Sequence, residues 1–195
     1  MKIFDLYETK DVKVEDVGLK RYINLDEKLV VKSRGRERDR FAKSKVNIVE
    51  RLINALCVPG HRGKKQKIMT SWASGKWTKN ARLVLNAFKI IAEKTQQNPI
   101  QVLIKAVENA APREEITTIE YGGARYPQAV DISPMRRISL AIKNLSHGAY
   151  DKSFGKKTPM AEALANELIA AANNSNDAFA ISKRNEIEKM ADSAK

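Results

Sequence analysis

Few side chains in this sequence could make or break bonds. The candidates are two histidines, His61 and His147, and a single cysteine, Cys57. Neither histidine has a second His or a Cys at ligand spacing, so no zinc site is expected. Cys57 and His61 could be drawn as nucleophile and base. Cys57, however, belongs to an apolar helical pattern, His61 lies beyond the Pro59-Gly60 break, and no third group is placed to orient them. The run Gly60-His61-Arg62-Gly63-Lys64-Lys65 has the flavour of a phosphate loop, but it lacks the four-residue spacer and the Ser or Thr after lysine that would position Mg²⁺. The sequence therefore predicts a non-enzyme with no metal and no cofactor. His147 reads as a helix C-terminal residue before Gly148, and Cys57 as a small buried hydrophobe in a reducing compartment.

The chemistry the chain can do is neutralisation of anions. It has 36 Lys and Arg against 23 Asp and Glu, a net charge of +13 and a pI near 9.8. Such an imbalance points to a polyanion partner. A membrane is disfavoured, because no apolar run approaches the roughly 18 residues that a spanning helix needs. The first residues, MKIFDLYETKD, meet acid early and are not expected to be a secretory signal.

The cations gather at breaks between apolar segments. Arg34, Arg36, Arg38 and Arg40 alternate, which places all four on one side of an extended chain, and Lys43 follows. The segment Pro59 to Arg82 carries Arg62, Lys64, Lys65, Lys67, Lys76, Lys79 and Arg82 with no acidic residue, and Trp72 and Trp77 lie among them. Cations interleaved with large aromatics fit a surface that tracks a phosphate backbone and stacks an unpaired base. The competing readings are a solvated linker for the arginines and loop anchors for the tryptophans. Further cations stand at Arg113, Arg125, Arg136 and Arg137, at 152–157 and at 183–184. No helix shows Asn, Gln and Arg at regular turn spacing, so recognition by shape and phosphate is favoured over a base-reading helix.

The elements that must position these cations are mostly helical. Three- and four-residue apolar steps predict helices over Ser44–Val58, Thr78–Thr95, Asn98 to Pro112, Ser133 to about Gly148, from Thr158, and Ser182–Ala194. Three of them open with Asn, Ser or Thr followed by Pro, a capping side chain beside a residue whose missing donor costs nothing. Between the third and fourth lies the exception, a stretch rich in Ile, Thr and Tyr (Ile116 to Tyr121). Gly122-Gly123 suits a type I′ turn, and the return run Ala124 to Ile132 carries Pro127, which requires an open edge.

The predicted fold is thus mainly α, a bundle of about six helices with one protruding two-stranded β-hairpin arm between the third and fourth helices. At 195 residues, 43% hydrophobic and 30% charged, the chain is long enough for a buried core. Residues 1–43 read as an N-terminal extension with little regular structure, basic from residue 32. Residues 44–195 read as a single RNA-binding domain with an insertion at 59–77 and the arm at 114–132.

NPIQVLIKAVENAAPREE at Asn98 to Glu115, GGARYPQAVDISPMRR at Gly122 to Arg137 and AFAISKRNEIEKMA at Ala178 to Ala191 occur in order and at matching spacing. With them the sequence resembles the seventh small-subunit ribosomal protein family in its archaeal form, over about residues 44 to 195. The resemblance implies a six-helix bundle with a hairpin arm. It also implies binding to the 3′ major domain of small-subunit ribosomal RNA, nucleation of head assembly, and an arm near the exit-site tRNA and the messenger. Neighbouring small-subunit proteins, a monomeric state within the ribosome and a cytoplasmic location go with it. Carried over by position, Gly122, Gly123 and Arg125, with Tyr126 beside them, form the arm tip. Arg136 and Arg137 open the fourth helix toward RNA, and Lys156 and Lys157 lie in the loop before the fifth. The stretch 59–77 is an insertion relative to the bacterial pattern, and residues 1 to about 43 are poorly matched. The alternative is an architectural DNA-binding protein whose arm enters a minor groove. Such a wedge wants proline or a large apolar residue at the turn.

Overall fold

The computed structural model describes residues 2–26, 39–58 and 72–195. The helices are α1 (Val17–Lys20), α2 (Ile48–Leu56), α3 (Trp77–Thr95), α4 (Pro99–Ala110), α5 (Pro134–Ser153), α6 (Met160–Ala172) and α7 (Phe179–Asp192), with a 3₁₀ turn at Ala42–Lys45 before α2. Strands β1 (Glu114–Tyr121) and β2 (Ala124–Asp131) fall between α4 and α5. Leaving aside the four-residue α1, this is the predicted set of six helices, with the hairpin between the third and fourth of them.

α6 is the hub and packs against α3, α4, α5 and α7. Its sequence, MAEALANELIAAA, is apolar around most of its circumference, the pattern of a helix covered on all sides. Its alanines let the neighbouring backbones approach closely. Phe88, Ile91, Leu103, Ile104 and Ile138 from the surrounding helices fill the core.

Helix boundaries follow from local chemistry, with corrections. Asn98 caps α4 through its side chain, which accepts from the Ile100 amide at 3.0 Å. Ser133 makes no side-chain cap, and α6 is preceded directly by Pro159 rather than capped by Thr158. Asn47 instead caps α2, accepting from the Val49 amide at 2.9 Å. α5 does not stop near Gly148 but runs to Ser153, which puts His147 in the buried interior of a helix. Gly148 is there for close packing: a Cβ at this position would lie 2.5 Å from Glu167 Oε1 and 2.8 Å from Phe179 Cβ. α7 begins three residues earlier than the sequence predicts, at Phe179.

Residues 2–26 have little regular structure, yet they share the core. Ile3 and Leu19 are fully buried, and the rings of Phe4 and Tyr7 meet Phe88 edge-on. The segment runs along α4. Lys13 exchanges hydrogen bonds with the Gln101 side chain, and the Asp16 amide donates to Glu108 Oε1 at 2.9 Å.

The hairpin closes as its turn residues dictate. Gly122 and Gly123 have φ of +57° and +82°, the left-handed region at both turn positions. The register pairs Tyr121 with Ala124 and Thr118 with Pro127. Counting outward from a two-residue turn, alternate pairs exchange hydrogen bonds, and Pro127 falls on a pair that does not, so its missing N–H costs the ladder nothing. α7 packs against the base of the arm, while the outer half stands clear of the body.

Candidate nucleic-acid interface

The arm presents more ring than charge. Ile119, Tyr121 and Tyr126 share one face by register and are exposed, Tyr121 most of all. Arg125, one residue past the closing pair, lies 3.5 Å from Glu120 across the strands, with both side chains largely in solvent. The tip is glycine with open space around it, which is not the apolar wedge a minor-groove architectural protein needs.

At the base, the two arginines expected to face RNA are both engaged within the chain. Arg136 forms a forked ion pair with Glu115, Nε to Oε1 at 2.6 Å and Nη2 to Oε2 at 2.7 Å, while its side chain remains 56% exposed. That bond pushes the Arg136 guanidinium further up from its ordinary value. Arg137 is only 12% exposed and pairs with Asp16 at 3.0 Å. Arg113 is exposed and lines, together with Arg137, a cleft of about 750 Å³ between the N-terminal segment, α4, the hairpin base and α7. Carboxylates outnumber cations there, from Glu15, Asp16 and Glu108 to Glu188 and Asp192. A phosphate would be repelled from much of that cleft. Burial raises the Glu108 carboxyl from its usual range, with Glu15 and Asp16 adding to the shift. Lys195, at the cleft's edge, is held up by hydrogen bonds to Glu114 and Asp192.

The cationic surface lies elsewhere. Lys43, Arg51 and Lys143 line a groove of about 220 Å³ between α2 and α5, with Asn54 and Ser139 beside them and, among the described residues, no carboxylate. Lys43 is exposed in the 3₁₀ turn. Arg51 is buried, its guanidinium donating to the Tyr22 carbonyl at 3.4 Å and to Ser139 Oγ at 3.3 Å. Such a group is pre-oriented, so little side-chain freedom would be lost on meeting a phosphate. Sequence reasoning found Lys43 but missed Arg51 and Lys143. Both sit inside apolar-periodic helices, and only the packing of α2 on α5 brings them to one groove.

The remaining predicted residues divide by place. Arg40 is exposed, its guanidinium 5.1 Å above the Phe41 ring. Lys76 precedes α3 and is exposed, and Lys79 is half-buried with its ammonium 3.7 Å over the Trp72 ring centroid. Lys156 and Lys157 are exposed in the α5–α6 loop. Arg34, Arg36, Arg38, Arg62, Lys64, Lys65 and Lys67 lie outside the described residues. The two tryptophans differ: Trp77 opens α3 half-buried, its indole N–H finding no acceptor among the described residues, whereas Trp72 is exposed.

Among the described residues no catalytic group is assembled, and His61 lies outside them. Burial pushes the Cys57 thiol up, against the direction a nucleophile needs. Its sulfur lies 3.3 Å from Asn80 Nδ2. His147 is buried in α5. Among the described residues no group of His, Cys, Asp and Glu could hold a metal ion, and no helix is long and apolar enough to cross a membrane.

Residues 19–195 match the family model for ribosomal protein S7p/S5e. The chain is 50% identical over 196 residues to the small ribosomal subunit protein uS7 of Nanoarchaeum equitans, covering 100% of this chain and 99% of the relative. It is 48% identical to the uS7 protein of Methanothermobacter thermautotrophicus, with 98% of each covered. To that of Methanosphaera stadtmanae it is 46% identical, covering 99% and 98%. Likeness of this level over the whole length, on a helical bundle that carries a hairpin arm, means that the chain belongs to the ribosomal protein S7p/S5e family, in its archaeal form.

Proposed function

We propose that the protein binds the 3′ major domain of small-subunit ribosomal RNA and nucleates assembly of the subunit head. In this reading it works as a monomer among neighbouring small-subunit proteins. The observation that carries the reading is the groove between α2 and α5, where Lys43, Arg51 and Lys143 converge with no carboxylate among the described residues. It offers phosphates a fixed, partly desolvated cationic seat. Arg40, Lys76, Lys79, Lys156 and Lys157 extend the positive surface. Arg136 contributes from the arm's base through the exposed part of its guanidinium, while Arg137 holds the arm's base and the N-terminal segment together. The arm, with its tyrosines and Arg125, reaches toward the exit-site tRNA and messenger.

The test is a salt-titrated competition. The protein is offered the 3′ major-domain RNA, an unrelated structured RNA of equal length, and a DNA duplex. The expected result is a preference for the ribosomal RNA of roughly 10³-fold or more that survives raised salt. Equal binding to all three, collapsing together as salt rises, would mean that charge alone is read and would overturn the proposal.

A further inference from the structure

We infer that a groove between Trp72 and the α5–α6 loop takes an unpaired RNA nucleobase by stacking, an inference that rests on the RNA-binding reading above. The groove, about 240 Å³, is lined by Trp72, Tyr150, Ser153, Phe154, Gly155, Thr158 and Met160. Two of its aromatic walls are open to solvent: Trp72 is 48% exposed and Phe154 46%. Large rings left this exposed on a helical body call for a partner with a flat apolar face. The rest of the site fixes its floor. The Tyr150 hydroxyl donates to the Leu56 carbonyl at 2.7 Å, and Ser153 Oγ lies 3.0 Å from Met160 Sδ.

Charge selects the occupant. Among the described residues no carboxylate lines the groove. Lys156 and Lys157 follow Gly155 directly in sequence and are exposed. The Lys79 ammonium sits 3.7 Å over the Trp72 ring without lining the groove. The Trp72 ring thus carries a cation over it and also lines the groove. A largely apolar slot, with one lysine against its Trp72 wall and two more next in sequence to Gly155, suits a base whose own backbone carries phosphate: stacking supplies the contact and the lysines hold the flanking charges. An apolar protein side chain would use the rings and leave the lysines idle.

Two 12-nucleotide probes test this with the full-length protein: single-stranded oligoadenylate and a ribose-phosphate oligomer of the same length lacking bases. The Trp72 signal is the tryptophan emission of the wild type minus that of Trp72→Phe. Oligoadenylate is expected to quench it, and the abasic oligomer to leave it unmoved. Trp72→Leu and Phe154→Leu, which keep apolar volume but lose the ring, should each weaken oligoadenylate binding by roughly 5- to 150-fold without changing the salt slope. Trp72→Phe should keep most of the affinity. Equal affinity for both oligomers, or full affinity in both leucine variants, overturns the inference. So does binding without quenching. If the 3′ major-domain RNA still binds while Trp72 stays silent, only this inference fails. If neither that RNA nor the oligomers bind at low salt, the RNA-binding reading fails with it.

Discussion

The guanidinium of Arg137 lies 3.0 Å from the carboxylate of Asp16, across 121 residues of sequence. Asp16 uses its other oxygen to cap α1, accepting from the Gly18 amide at 2.8 Å. Arg137 also donates to the Pro112 carbonyl at 3.2 Å, where the chain leaves α4 for the arm. One largely buried cation therefore ties together the N-terminal segment, the hairpin's entry and the first turn of α5. The hairpin, marginal by itself in water, is anchored there.

Replacing Arg137 with Ala should destabilise the protein by about 1–3 kcal/mol, less than the loss of a fully buried pair because Asp16 keeps some solvent. The variant leaves Asp16 beside Glu15 and Glu108 with the compensating charge gone. Arg137→Lys should recover only part, since an ammonium does not reproduce a planar guanidinium that bonds in two directions. Urea unfolding followed by circular dichroism measures both. A wild-type midpoint in Arg137→Ala would show that the pair contributes nothing to stability.

Arg136 should behave oppositely. Its pair with Glu115 is forked but exposed on the arginine side, so it adds no more than about 0.5–1 kcal/mol. Glu115→Gln removes the competing carboxylate and leaves a guanidinium free to meet phosphate. The expected outcome is near-unchanged stability, tighter RNA binding at low salt, and a salt slope steeper by roughly 0.7–0.9. Filter binding across a salt series reads the slope. An unchanged slope and affinity would remove Arg136 from the interface.

Much of the fold was legible because it is written in local signals. Asn98-Pro99 marks a helix start through a cap that the structure contains, and Gly122-Gly123 marks the turn because both residues must take positive φ. The signals that misled were also local. Gly148 reads as a helix stop, yet it serves a contact with Glu167 and Phe179, from elements that sequence spacing does not relate. Ile3 and Leu19 sit in a stretch too short and mixed for periodicity to mark as core. For the candidate site, clusters of cations were legible and their partners were not. Asp16 and Glu115, which engage Arg137 and Arg136, and the α2–α5 packing that gathers Arg51 with Lys143, follow only from the tertiary arrangement.

Gly148→Ala separates helix propensity from packing. Propensity alone favours alanine inside a helix by roughly 1 kcal/mol. Here the new methyl would come within 2.5 Å of Glu167 Oε1 and 2.7 Å of its Cδ. Glu167 cannot give way: it is fully buried, and holds Lys152 Nζ at 2.6 Å and the Ala180 amide at 3.1 Å. Overpacking and the disturbed carboxylate should win, with a net loss of about 1–3 kcal/mol and a lower melting temperature. A melting temperature at or above wild type would mean that α5, α6 and α7 can part without cost.

The Glu108 carboxyl predicts a pH dependence. Burial raises it above its ordinary value of 4.5, more than the amides of Asp16 and Glu15 lower it. Between the unfolded value and the raised folded one, the folded chain binds more protons than the unfolded chain. Its contribution to stability therefore falls as pH rises through that window, and the deficit is complete above it. Glu108→Gln has no proton to lose and keeps an oxygen to accept from the Asp16 amide at the position now bonded at 2.9 Å. The variant should match the wild type near the acid end of the window and exceed it at about pH 7, where the buried charge costs most. Urea midpoints of both proteins from about pH 4 to about pH 8 test this. Parallel curves would show that Glu108 titrates alike in the folded and unfolded chains. A variant less stable at neutral pH would show that its carboxylate is held by more than it loses to burial.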